Sequence, residues 1–137
     1  MRRALVGAAL AGMLVAVAAC GGSSSNGGSA ASSADRDKFV GTWTGNYGCA
    51  VGATLADKMI IKAGSGDLDL SIRIHVDFMN PDTVTGTLTS PTEVNVPEQS
   101  MGGGAGTAKL KLNGDKLDFR ATGLGMTCGG SDYTRQP

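Results

Sequence analysis

The chain has 137 residues, with 12 lysines and arginines against 12 aspartates and glutamates, and 22 glycines. Balanced charge gives nothing that favours nucleic acid as a partner, which would call for a basic face. Many glycines and few charges suit a β protein with tight turns rather than a helical bundle.

Met1-Arg2-Arg3 followed by the apolar run Ala4–Ala19 has the form of an export signal, a charged start, an apolar stretch and small residues before a cut. The run is too short and too rich in alanine and glycine for a permanent membrane span, which needs roughly 17 to 25 apolar residues. Val17-Ala18-Ala19-Cys20 resembles the lipobox of bacterial lipoproteins, in which the cysteine becomes the first residue of the mature chain and carries the lipid. Ala16-Val17-Ala18 also satisfies the rule for ordinary secretion. Cysteine parity favours the lipobox: lipidating Cys20 leaves Cys49 and Cys128 to pair, whereas ordinary secretion strands one thiol. The resemblance implies a signal peptide over 1–19 and a protein held on a membrane, on the extracytoplasmic side of a bacterial cell envelope, by diacylglycerol and palmitate-type chains. Losing Arg2 and Arg3 with the signal leaves 10 basic residues against 12 acidic ones.

Residues 20–37 read as a tether. Gly21–Ala34 contains only glycine, serine, alanine and asparagine, with no apolar surface to offset the entropy of ordering, so disorder is expected. Fourteen such residues span roughly 20 Å. The remaining segment, 38–137, has the size of one domain.

Within it, Phe39–Cys49 places Phe39, Trp43, Tyr47 and Cys49 on one face at a period of two, the signature of a half-buried strand. Leu55–Lys62 reads as a second strand, its inward face left ambiguous by the run Met59-Ile60-Ile61. Leu68, Leu70, Ile72, Ile74, Val76 and Phe78 alternate with polar residues along a long third strand. Thr83–Thr89 and Glu93–Val96 follow, and Pro97, having no N–H, is expected to end that pairing. Met101–Gly106 reads as a mobile glycine-rich loop. Thr107–Asn113 and Lys116–Thr122 form a hairpin around Asn113-Gly114, expected as a type I′ turn. A two-residue loop pairs Leu110 with Leu117 and a four-residue loop pairs Leu112 with Leu117. Either register gathers Leu110, Leu112, Leu117 and Phe119 on one face. In the last strand, Met126–Thr134, a bulge at Gly129-Gly130 would let Met126, Cys128 and Tyr133 all face inward.

Eight short strands and no amphipathic helix predict an all-β, small antiparallel up-and-down barrel, with a small β-sandwich as the alternative. A barrel joins its first and last strands, and a Cys49–Cys128 disulfide would link those two. Gly41-Thr42-Trp43-x-Gly45, the late cysteine and Val96-Pro97-x-Gln99 resemble the lipocalin-like small β-barrel domains of bacterial secreted lipoproteins, over Phe39 to about Thr134. The resemblance implies the fold and transfers no catalytic or binding residue. The chain is shorter than a typical lipocalin and lacks its terminal helix.

No catalytic constellation is legible. His75 is the single histidine, on the polar face of the third strand, without a nucleophile and an orienting acid to make a triad. Paired cysteines leave no thiolate. Asp67 and Asp69 share a face without the calcium-loop pattern, and Glu93 and Glu98 have no opposed carboxylate. Asn46, Arg73, Arg120 and Arg135 stand as surface contacts without a motif. The expectation is a monomeric, non-enzymatic binding or interaction module without metal or cofactor, for a protein or small apolar ligand. A lipocalin-like carrier and an extracytoplasmic protease inhibitor are the alternatives.

Overall fold

The structure is a computed structural model that describes residues 29–50, 52–75, 81–123 and 125–137. The expected signal segment and Cys20 lie outside these residues. A short helix α1 (Ser33–Asp37) precedes eight strands: β1 (Gly41–Cys49), β2 (Leu55–Ala63), β3 (Asp69–His75), β4 (Pro81–Ser90), β5 (Glu93–Met101), β6 (Gly104–Asn113), β7 (Lys116–Gly123) and β8 (Met126–Arg135). Each strand pairs with its sequence neighbour and β1 pairs with β8, closing an antiparallel up-and-down barrel.

The expected inward faces are those that fill it. Trp43 and Tyr47 from β1, Leu70, Ile72 and Ile74 from β3, Val84 and Leu88 from β4, and Val94 and Val96 from β5 are all buried. Leu110 and Leu112 of β6 face Phe119 and Leu117 of β7 across the hairpin. The ambiguous second strand resolves with Asp57, Met59 and Ile61 inward and Lys58 and Lys62 outward. Val76 and Phe78, expected to prolong β3, lie outside the described residues.

Five local expectations need correction. The last residues of the expected tether are helical, because Ser32 and Asp35 form a reciprocal capping box: Ser32 Oγ accepts from the Asp35 N–H, and Asp35 Oδ2 accepts from the Ser32 N–H and hydroxyl. The Lys38 ammonium and then the Ser32 hydroxyl hold the Asp35 carboxyl below its ordinary value. The glycine-rich segment is a two-residue hairpin rather than a loop. Gly102 and Gly103 both have positive φ, as a type I′ turn requires, and Met101 pairs with Gly104. The β6–β7 turn is Gly114-Asp115, with Asn113 paired to Lys116. Positive φ at Gly114 alone fits type II′ rather than I′. Parity in β8 flips at Ser131-Asp132, beyond Gly129-Gly130: Leu117 pairs with Tyr133 but Phe119 with Gly130, and Asp132 has φ 62°. Met126 shares the parity of the buried Cys128 but is exposed at the start of β8, opposite Gly123.

Pro97 does not end its strand. The β5–β6 register shifts by one residue between Val96 and Gln99 and pairing then continues to Met101. On the β4 side, the Gln99 side chain replaces the peptide unit that proline withholds. Its Oε1 accepts from the Thr85 N–H at 2.9 Å, and its Nε2 donates to the Thr85 and Pro97 carbonyls at 2.8 and 3.1 Å. Val96-Pro97-x-Gln99 is thus a bulge with a built-in splint. Gln99→Ala is expected to cost about 1 to 2 kcal/mol in urea unfolding, since two carbonyls and an N–H lose their partner.

The two ends of the barrel differ. At one, α1 packs beside the β2–β3 turn through Arg36 Nη1 to the Gly66 carbonyl, and Phe39 is buried. Trp43 donates Nε1–H to the Phe39 carbonyl at 2.8 Å, and Arg135 lies over its ring while donating to the Lys38 carbonyl. Glycine at 45 in the same motif leaves room for the Tyr133 ring, whose atoms lie 2.7 Å from where a Cβ would stand. The motif Gly41-Thr42-Trp43-x-Gly45 therefore builds the closed end. The other end carries the Cys49–Cys128 disulfide and the exposed Leu55 and Met126.

Candidate binding surface

Cys49 and Cys128 are register partners across the β1–β8 seam, and the structure joins them at an S–S distance of 2.00 Å. His75 ends β3 opposite Pro81. Asp69 Oδ1 accepts a hydrogen bond from Thr87, whereas Asp67 is exposed in the β2–β3 turn, so the two do not converge. Among the described residues, no three His, Cys, Asp or Glu side chains gather as metal ligands would. Arg135 belongs to the closed end, over Trp43. Arg73 is exposed on β3.

Among the described residues the one buried acid is Asp57, which nothing in the sequence singles out because its strand lacks a clear inward face. Tyr133 donates its hydroxyl to Asp57 Oδ2 at 2.8 Å, and the Lys58 N–H donates to Oδ1 at 2.8 Å. Burial first, then the Asp57 charge and the hydrogen bond to it, push the Tyr133 phenol far above its ordinary value of 10.0. Below about pH 10 folded and unfolded chains both hold this proton. Above it the unfolded chain releases the proton and the folded one does not, so the stability it contributes is lost as pH rises. Unfolding free energy is expected to fall by up to about 1.4 kcal/mol per pH unit above pH 10 from this group. Comparing denaturation of wild type and Tyr133→Phe between about pH 9 and pH 11 isolates it, because the variant lacks that slope.

The surface relief lies on the outer face. A depression of about 400 Å³ crosses β4–β7, lined by the outward Thr89, Glu93, Asn95, Lys109, Lys111, Asp118 and Arg120. A second adjoins it across Asp118 and Arg120 and runs over the β7–β8–β1 seam, floored by Gly48, Gly129 and Gly130. Cross-strand register orders these side chains into rows. Glu93, Lys111 and Asp118 alternate in sign across three strands, and Lys111 Nζ lies 3.3 Å from Glu93. Asp118 accepts from Asn113 Nδ2 at 2.6 Å and from the Asp132 N–H. The next row runs Asn95, Lys109, Arg120, Gly129 and Gly48. Arg120 and Asn46 were legible in the sequence as surface residues; Lys109 was not, because its neighbour across the strand is set only by the hairpin register.

No family model matches the chain, and no curated protein matches it. Among solved structures, a redesigned β-barrel matches with a TM-score of 0.54 at 18% identity, covering 75% of this chain and 96% of that one. At that identity the likeness is one of fold: this chain shares the small closed barrel with a designed protein.

Proposed function

We propose that the protein is a lipid-anchored extracytoplasmic binding module, without catalytic activity, that engages its partner through the outer face of the barrel. The observation that carries this reading is the set of bulky side chains that point into the barrel. Phe39, Trp43, Tyr47, Phe119 and Tyr133 are each 2% exposed or less, all inside the barrel. Eight strands enclose just enough space for side chains or one small ligand, and these five rings occupy part of it. The carrier reading would need that volume, so it has less support than the interaction reading.

The disulfide suits an oxidising compartment outside the cytoplasm. The chain enters the barrel at the end closed by α1, so a tether from Cys20 would set the Cys49–Cys128 end away from the membrane. Two or more acyl chains suffice for stable anchoring where one is marginal. Mass spectrometry of protein extracted from native membranes is expected to find Cys20 as an acylated first residue, and Cys20→Ser to move the protein to the soluble fraction. An unmodified Cys20, or a Cys20→Ser protein that stays with the membrane, overturns the anchor.

A further inference from the structure

We propose that Lys109 and Arg120, with Asn95 beside them, form a binding site for a phosphate-class oxyanion on the outer face of β5–β7. The proposal rests on the outer-face reading above and names its ligand chemistry. Lys109 and Arg120 stand directly opposite each other in the β6–β7 ladder, both exposed. Like charges placed so are destabilising, and a strand pair gains nothing structural from them. Glu93 and Asp118 line the same depression but make no ion pair with them. Glu93 is paired with Lys111, and Asp118 is engaged by Asn113 and the Asp132 N–H. Among the described residues, no acidic side chain pairs with Lys109 or Arg120.

The adjoining row makes the contrast. There Glu93, Lys111 and Asp118 alternate in sign, so the same three strands show what a purely stabilising arrangement looks like. In the Lys109 row the third member is Asn95, whose amide can donate but adds no negative charge. The three donors come from three adjacent strands and line one depression of about 400 Å³. A guanidinium fork, an ammonium and an amide supply more donors than the two oxygens of a carboxylate use, and match the three or four oxygens of a phosphate group. Such a group can be a free phosphate or the headgroup of an anionic lipid on the membrane to which the tether would lead.

Inorganic phosphate titrated into the full chain at constant ionic strength, followed by amide NMR shifts, tests the first source. Flotation of the Cys20→Ser full chain with phosphatidylglycerol vesicles, against phosphatidylcholine vesicles, tests the second without the anchor. Saturable shifts centred on Lys109 and Arg120 support a free anion. Binding only to phosphatidylglycerol supports a headgroup. Either is expected to weaken about tenfold or more in the double variant K109Q/R120Q and to survive in K58Q/K62Q, which removes two outward charges on β2. K109Q/R120Q is expected to unfold at the same or higher urea concentration than wild type, so lost binding is not lost folding. Absence of binding to both probes, or binding that K109Q/R120Q retains or K58Q/K62Q equally loses, overturns the site. None of these outcomes bears on acylation at Cys20.

Discussion

Replacing Gly130 with alanine is expected to destabilise the barrel by roughly 3 kcal/mol or more, enough to threaten folding of a domain this small. A Cβ at Gly130 would stand 1.9 Å from the Asn46 carbonyl oxygen and 2.8 Å from the Tyr133 ring. A Cβ at the neighbouring Gly129 would stand 2.1 Å from the Phe119 carbonyl oxygen. Both oxygens belong to strand backbone, which cannot move without breaking ladders on either side of β8. Side-chain clashes relax by rotamer change; these do not. Gly103→Ala is the control. Gly103 has φ +84° but open space around its Cβ position, so alanine there bears only the left-handed backbone penalty of about 1 kcal/mol. Urea denaturation of the three variants with the disulfide intact checks the order: Gly129 and Gly130 far below Gly103. Equal losses at all three would show that backbone freedom, not contact with neighbouring strands, sets the requirement.

The paired variant Cys49→Ala/Cys128→Ala is expected to lose about 4 to 5 kcal/mol on the chain-entropy account, for a loop closed across 79 residues. The bond ties the first strand to the last, so its removal leaves the β1–β8 seam to hydrogen bonds and side-chain packing such as Arg135 over Trp43. That seam is irregular: its register shifts between Thr44 and Gly48, where β8 bulges at Ser131-Asp132. Hydrogen exchange in the variant is therefore expected to rise first at β1 and β8 amides, while the regular β6–β7 hairpin keeps its protection. Equilibrium unfolding gives the magnitude, and a loss under about 1 kcal/mol would mean that the unfolded chain is already compact.

Much of the fold was legible because a strand half-buried in a barrel must alternate, and alternation survives in the sequence. Phe39, Trp43 and Tyr47, then Leu70, Ile72 and Ile74 of β3, and the four apolar residues of the β6–β7 hairpin all lie inside as their spacing indicated. Parity of three cysteines pointed to Cys49 and Cys128 as a pair, and the closed topology places them as partners. Turn types were less legible. Asn113-Gly114 reads as a I′ pair, but Asn113 is held in the ladder and bonds Asp118, so the loop slides one residue on.

What the sequence determined by itself was the set of strands, their order and, where alternation is clean, the face a strand buries, since these follow from local period and from punctuation by glycine and proline. The tertiary structure decided what depends on a neighbour distant in the chain. Pro97 reads as a strand end until Gln99 is seen to bond Thr85. Asp57 has no assigned face until Tyr133, 76 residues away, is seen to donate to it. Lys109 and Arg120 become a pair only through the hairpin register. In each case the energy lies in a cross-strand contact, and no period within one strand encodes which residue the next strand will set against it.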